Sequence, residues 1–331
     1  MTAVPFTLSA SSRHLSQRER QEACANFKQF DKSEFEAENV RRESVEVELR
    51  FEHLDKYYGK NHALRDFSCA LTEGVHGLLG PNGAGKSTLL NILSGNLPQS
   101  GGRICFEGED IRNPGSGFLG ILGYMPQQQA YYDRFTAEEF LGYMGALRGM
   151  EKRAVAEGIT RVLGQVELEE VRKHRIGSFS GGMKQRLLLG QAILGDPKIL
   201  ILDEPTAGLD PKQRISIRNL IASISTRKIV ILSTHIVSDI AGIAKDVLLL
   251  KEGRLLDRNS PLGLKEALRG KVYELHCAPH ELTSLQHRYP LSRMMAEGEG
   301  FCLRVLSEEP PEGGRAVQPD LEDVYLSRFG E

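Results

Sequence analysis

The chain has 331 residues and a mass of 36.8 kDa, with 40% hydrophobic and 26% charged residues, the balance of a globular protein with room for about two domains and unlike a disordered or collagenous chain. Its 42 Lys and Arg against 44 Asp and Glu give a formal net charge of -2, which argues against a dedicated nucleic-acid or polybasic membrane-surface protein. The apolar runs at 198–202, 228–232 and 247–250 are strand-sized, far short of the roughly 20 residues that cross a bilayer.

Residues 1–43 are polar, with Ser11-Ser12, Arg18-Glu19-Arg20 and Arg41-Arg42-Glu43 among scattered apolar positions, which predicts a flexible or weakly helical N-terminal extension. No basic stretch leads into an apolar one at 1–10, so no secretory signal is read and a cytoplasmic location is expected. From Val45 the pattern becomes alternating, with Val45, Val47, Leu49 and Phe51 apolar between charged residues, the period of a half-buried strand. A strand at 75–79, a glycine-rich loop at 80–85 and a helix at 86–94 follow, then a strand at 103–106 closing at Gly108 and a mostly helical stretch from 136 to 173. A helix near 182–194, a strand at 199–202, a helix at 211–225 and strands at 228–233 and 246–250 complete a rhythm that predicts an α/β fold with a parallel sheet. Past Pro261 the texture changes to a short helix, alternating segments at 271–276 and 301–306, and a turn-rich 308–315, which predicts a small appended α+β domain.

Five cysteines (Cys24, Cys69, Cys105, Cys277, Cys302) lie far apart without a Cys-x-x-Cys pair, which predicts reduced, packed thiols and no disulfide framework or zinc site. Nor do the nine histidines suggest a ligand cluster, because Pro279 splits the nearest pair, His276 and His280.

The chemistry concentrates in two segments. Gly80-Pro81-Asn82-Gly83-Ala84-Gly85-Lys86-Ser87 fits G-x-x-x-x-G-K-[ST] between a strand and a helix. Its glycines let successive N–H groups approach phosphate oxygens, the helix N-terminus adds a favourable dipole, Lys86 reaches the β and γ phosphates, and Ser87 offers a hydroxyl to magnesium. Ile199-Leu200-Ile201-Leu202-Asp203-Glu204 is an apolar strand ending in two carboxylates. Asp203 is then placed to hold magnesium, directly or through water, and Glu204 to orient and deprotonate an attacking water.

Together with further motifs in order, these residues make the chain resemble the ATP-binding subunit of an ABC transporter over about 45–253. Ser180-Gly181-Gly182-Met183-Lys184-Gln185-Arg186 resembles the signature sequence, with Phe179 where leucine is usual and Met183 where glutamine is commonest. Gln127 in Gly123-Tyr124-Met125-Pro126-Gln127 resembles the Q-loop residue, with Gln128 and Gln129 as neighbouring registers; Ala207-Gly208-Leu209-Asp210 resembles the D-loop, and His235 after Ser233-Thr234 the switch histidine. Tyr58 resembles the aromatic that stacks on adenine, with Tyr57 as its rival, and 319–326 resembles the tail of exporter cassettes whose permease is a separate polypeptide.

The resemblance implies a P-loop NTPase cassette at 44–260, with a parallel-sheet core, an antiparallel β subdomain and a helical subdomain at about 128–180, followed by a C-terminal α+β accessory domain at 261–331. It implies ATP and Mg2+ as cofactors, with Glu204, His235 and Gln127 catalytic and Ser87, Gln127 and Asp203 at the metal. Tyr58, Gly80 to Gly85, Lys86, Ser87, Thr88, Ser180, Gly181, Gly182 and Asp210 would bind nucleotide, the last four across a head-to-tail sandwich with a second cassette, identical or paralogous. The partner implied is an integral-membrane permease, with the cassette peripheral on the inner face of the cell membrane. A soluble ATPase acting on ribosomes or in regulation is the alternative, but translation factors of this superfamily usually carry tandem cassettes, and each motif here occurs once.

Overall fold

The computed structural model describes residues 47–127 and 132–330. The extension expected at 1–43, Val45, and Gln128 and Gln129 lie outside the described residues. The first strand, expected to begin at Val45, is β1 (Leu49–Tyr58), with Val47 preceding it. It pairs antiparallel with β2 (Asn61–Leu71) and β4 (Gly101–Phe106), and β5 (Glu109–Asp110) closes a four-stranded sheet in the order β2-β1-β4-β5.

The second sheet contains β3 (Gly74–Leu79), β6 (Leu122–Met125), β7 (Ile199–Asp203), β8 (Ile229–Thr234), β9 (Asp246–Lys251) and β10 (Arg254–Asn259), in the order β10-β9-β3-β8-β7-β6. Its first five members in chain order run parallel, and β10 joins antiparallel through the hairpin after β9. Both faces are covered, so alternate residues of one strand enter different cores. Leu200 and Leu202 join the core beneath the helices, whereas Ile199 and Ile201 join the core shared with the first sheet and with α1 (Lys86–Leu93).

The helical stretch expected at 136–173 resolves into α2 (Ala137–Leu147), α3 (Lys152–Gln165) and a short 3-10 turn. Thr136 opens α2 with a reciprocal cap: its hydroxyl accepts from Glu139 N at 3.2 Å, and its own N–H donates to the Glu139 carboxylate at 2.8 Å. Two further helices, α4 (Gly181–Ile193) and α5 (Pro211–Ile224), and a single turn, α6 (Val237–Ile240), connect the later strands. Phe179, the departure from leucine before the signature, is buried in the helical core.

After α7 (Pro261–Glu266), a third, antiparallel sheet forms from β11 (Val272–Cys277), β12 (Leu291–Glu297), β13 (Gly300–Leu306) and β14 (Arg315–Ala316), in the order β12-β13-β11-β14. With α8 (Leu282–Arg288) it encloses a small core of Tyr273, Leu275, Cys277, Leu303 and Val305. The closing helix α9 (Leu321–Phe329) turns back and buries Leu321 and Val324 in the larger core. Its fully buried Asp323 accepts from Arg304 Nη2 at 2.8 Å and from Ser292 Oγ at 2.6 Å, and Arg328 pairs with Asp257 of β10 at 3.0 Å.

Candidate functional site

The parallel strands β3, β7 and β8 end on one edge, and the loops that follow them line a cleft of about 790 Å³. The loop after β3 is shaped by contacts only glycine tolerates. A Cβ on Gly80 would lie 2.2 Å from the Leu250 carbonyl oxygen, and Gly85 combines a φ of +106° with a Cβ position 2.7 Å from the Ala63 carbonyl oxygen. Lys86 is buried, and its Nζ donates to the carbonyls of Gly80 at 2.5 Å and Pro81 at 3.1 Å. Burial lowers its pKa from the usual lysine value, against the opposing carboxylates of Glu204 and Asp203.

Strand β7 delivers Asp203 and Glu204 to the same edge, both buried. Burial raises the Asp203 pKa above the usual carboxylate range, opposed by the Ser233 side chain and by Lys86, while the Glu204 charge adds to the rise. Glu204 has a left-handed φ of +51°, an arrangement that costs a non-glycine residue about 1–2 kcal/mol. Its N–H donates to the Ser233 carbonyl at 2.9 Å, which fixes this turn against the end of β8. The half-exposed His235 ring donates from Nδ1 to Glu204 Oε1 at 2.9 Å, whereas the buried Glu204 Oε2 has no protein partner. An unpartnered buried carboxylate oxygen is costly and calls for a ligand.

The cleft gathers Tyr58, Pro81, Asn82, Gly83, Ala84, Gly85, Lys86, Ser87, Thr88, Gln127, Asp203, Glu204 and His235, with Gly80 behind as a lysine acceptor. Of the two tyrosine candidates, Tyr58 lines it, whereas Tyr57 stacks on His62 with ring centroids 3.9 Å apart. The Ser87 hydroxyl, the Asp203 carboxylate and the Gln127 side chain supply oxygen donors, the set that suits magnesium, and Lys86 and the loop suit phosphate. The structure does not bring Ser180, Gly181, Gly182 or Asp210 to this cleft. Ser180 caps α4, its hydroxyl accepting from Met183 N at 3.3 Å, and lines a separate cavity of about 510 Å³ with Gly182. Gly181 begins α4, and Asp210 caps α5, accepting from Gln213 N at 2.9 Å.

Sequence reasoning missed Asn61, His62, Ala63, Arg65, Ser233, Glu252 and Tyr325 in the lining. Ser233 lies within the Ser233-Thr234-His235 motif, and Tyr325 belongs to the closing helix, whose sequence pattern points to the exporter tail and not to the site. The others carried no local signal.

Residues 64–207 match the family described as ABC transporter. Over 231 residues the chain is 38% identical to the ABC transporter ATP-binding protein YxlF of Bacillus subtilis (strain 168), covering 69% of this chain and 76% of that one. The chain belongs to the ABC transporter family. It is also 34% identical over 290 residues to Nod factor export ATP-binding protein I of Rhizobium sp. (strain N33), covering 84% of this chain and 95% of that one. Among solved structures, that of cbiO1 from Clostridium perfringens, part of the ABC transporter complex cbiONQ, superposes with a TM-score of 0.61 at 26% identity, covering 68% of this chain and 94% of that one. As an ABC cassette the chain binds nucleotide and is an ATPase that serves a membrane transporter. Among the described residues no helix is long and apolar enough to cross a membrane.

Proposed function

We propose that this protein energises an exporter whose permease is a separate polypeptide, docking peripherally on the inner face of the cell membrane. Two relatives that the chain spans almost end to end bear export or resistance names: Nod factor export ATP-binding protein I, and linearmycin resistance ATP-binding protein LnrL of Bacillus subtilis (strain 168), 30% identical over 311 residues covering 85% of this chain and 98% of that one. In this reading residues 44–260 are the cassette, 261–331 an accessory domain and 1–43 an extension. A drug, peptide, polysaccharide or ion is the class of cargo.

The observation that carries the hydrolytic role is Glu204, a buried carboxylate with one oxygen held by His235 and the other without a protein partner. It acts as general base on the attacking water, and His235 orients it and meets the γ-phosphate. Lys86 exchanges its loop carbonyls for phosphate oxygens, which match an ammonium far better than amide oxygens do. Ser87, Asp203 and Gln127 would hold Mg2+, which when bound neutralises charge on the β and γ phosphates. Tyr58 stacks on the adenine, and Ser180, Gly181, Gly182 and Asp210 complete the site of a second cassette, identical or paralogous. Their position outside this chain's own cleft supports that arrangement.

The test is affinity capture of Glu204→Gln protein with ATP from detergent-solubilised membranes, with the companions identified by mass spectrometry. A multi-span hydrophobic polypeptide is expected. Recovery of ribosomes, or of no membrane partner, would refute the transporter reading.

A further inference from the structure

The C-terminal sheet gathers three metal-type donors that the nucleotide cleft does not use. His276 of β11 and Cys302 of β13 are direct antiparallel partners, and Glu297 ends β12, two residues beyond Met295, the partner of Cys302 on that side. Residues opposite one another, or two apart on a strand, share a face. The donor atoms of His276, Glu297 and Cys302 all lie within 4.8 Å of one another, and His276 Nδ1 is 3.1 Å from a Glu297 carboxylate oxygen. Cys277, by contrast, points into the small core on the opposite face.

We propose that His276, Glu297 and Cys302 form a zinc site with one open coordination position. Ligands about 2.0–2.3 Å from a tetrahedral zinc are separated by roughly 3.3–3.8 Å, so the three donors need adjustments of at most about 1.5 Å. The site is built to allow them. The Cys302 sulfur is buried in a strand and forms a fixed floor, while His276 and Glu297 have exposed side chains that can close over it from the strands on either side. Sulfur, imidazole nitrogen and carboxylate oxygen together favour zinc over magnesium or calcium, which prefer oxygen alone. Without a metal, an exposed His–Glu pair contributes little.

The same face of β13 carries Arg304, two residues beyond Cys302, whose guanidinium grips Asp323 of α9. Zinc would therefore brace the strand that anchors the closing helix.

The experiment is a zinc titration of the full chain, stripped of metal and reduced, without nucleotide, in competition with a chromophoric chelator. One zinc per chain is expected, with affinity reduced about tenfold or more in Cys302→Ser and in His276→Ala/Glu297→Ala and unchanged in Cys277→Ser. The double variant alters only exposed side chains, so it remains informative if Cys302→Ser folds poorly. Absence of a one-to-one complex, or equal affinity in the native chain and the double variant, would overturn the proposal.

Discussion

Glu204→Gln should make the protein both slower and more stable, a combination that a purely structural carboxylate would not give. Glutamine keeps the side-chain length and an oxygen to accept from His235 Nδ1, so the 2.9 Å contact survives. The change replaces a buried charge, one of whose oxygens has no protein partner, with a neutral amide. Leaving such a group unsatisfied costs about 1–3 kcal/mol, and a fraction of that returns as stability in the variant. For a protein of this size each kcal/mol moves Tm by about 2 °C, so, if about half of that cost returns, Tm without nucleotide should rise by roughly 1–3 °C. The backbone strain at φ +51° is common to both side chains and cancels. Loss of the general base should lower kcat by about 10²–10⁴-fold, equivalent to about 3–5 kcal/mol of barrier. Scanning calorimetry gives the first quantity, and phosphate release under saturating ATP and Mg2+ gives the second. A lower Tm would show that the Glu204 charge is a stabilising element, and a kcat within about twofold of the native value would remove Glu204 from the chemistry.

Other expectations follow from the same geometry. Burial alone would raise the pKa of Asp246, but hydrogen bonds and charge from His76 and Arg258 hold it below the usual carboxylate value, and Arg304 and Ser292 do the same for Asp323. A depressed folded pKa gives stability that is present above the unfolded value and is lost as pH falls through the folded one. Asp246→Asn and Asp323→Asn should therefore flatten the loss of stability below about pH 4, measured by urea unfolding at successive pH values; an unchanged acid limb would refute the pairing. Gly80→Ala places a methyl group 2.2 Å from the Leu250 carbonyl and should destabilise the chain by about 1–3 kcal/mol while weakening binding of a fluorescent ATP analogue; unchanged binding would show that the loop can yield. Tyr325→Ala should raise KM for ATP with kcat nearly intact, since the ring lines the cleft without approaching Glu204 through any hydrogen bond described. A fall in kcat alone would assign it another role. Phe179→Leu should cost less than about 1.5 kcal/mol, because Phe179 sits in an apolar core built mostly of aliphatic side chains; a larger loss in chemical denaturation would mean the aromatic ring has a shape-specific role.

The parts of the site that the sequence made legible are those whose chemistry is contiguous. A phosphate loop must follow a strand and open a helix within a few residues, so Gly80 to Thr88 could be read from order alone. Asp203 and Glu204 follow for the same reason, as the polar end of a buried parallel strand. Elements held by their partners were harder to read. Strand β6 is four residues long, β2 is broken by register shifts, and β12 is largely exposed, so none presents a clean alternation. The hairpin residue Glu252 reaches the cleft because Gly253 N donates to the Ala84 carbonyl and Arg65 N to the Gly253 carbonyl, pairings between segments far apart in the chain. Tyr325 arrives from farther still, carried by a helix that docks through Leu321 and Val324. The same limit explains the cysteines and histidines. Spacing along the chain shows no zinc motif, yet antiparallel pairing sets His276 opposite Cys302 and brings Glu297 beside them. A linear motif records ligands delivered by one loop, whereas three strands can deliver one ligand each with no linear trace. Register, and not spacing, is what makes that cluster visible.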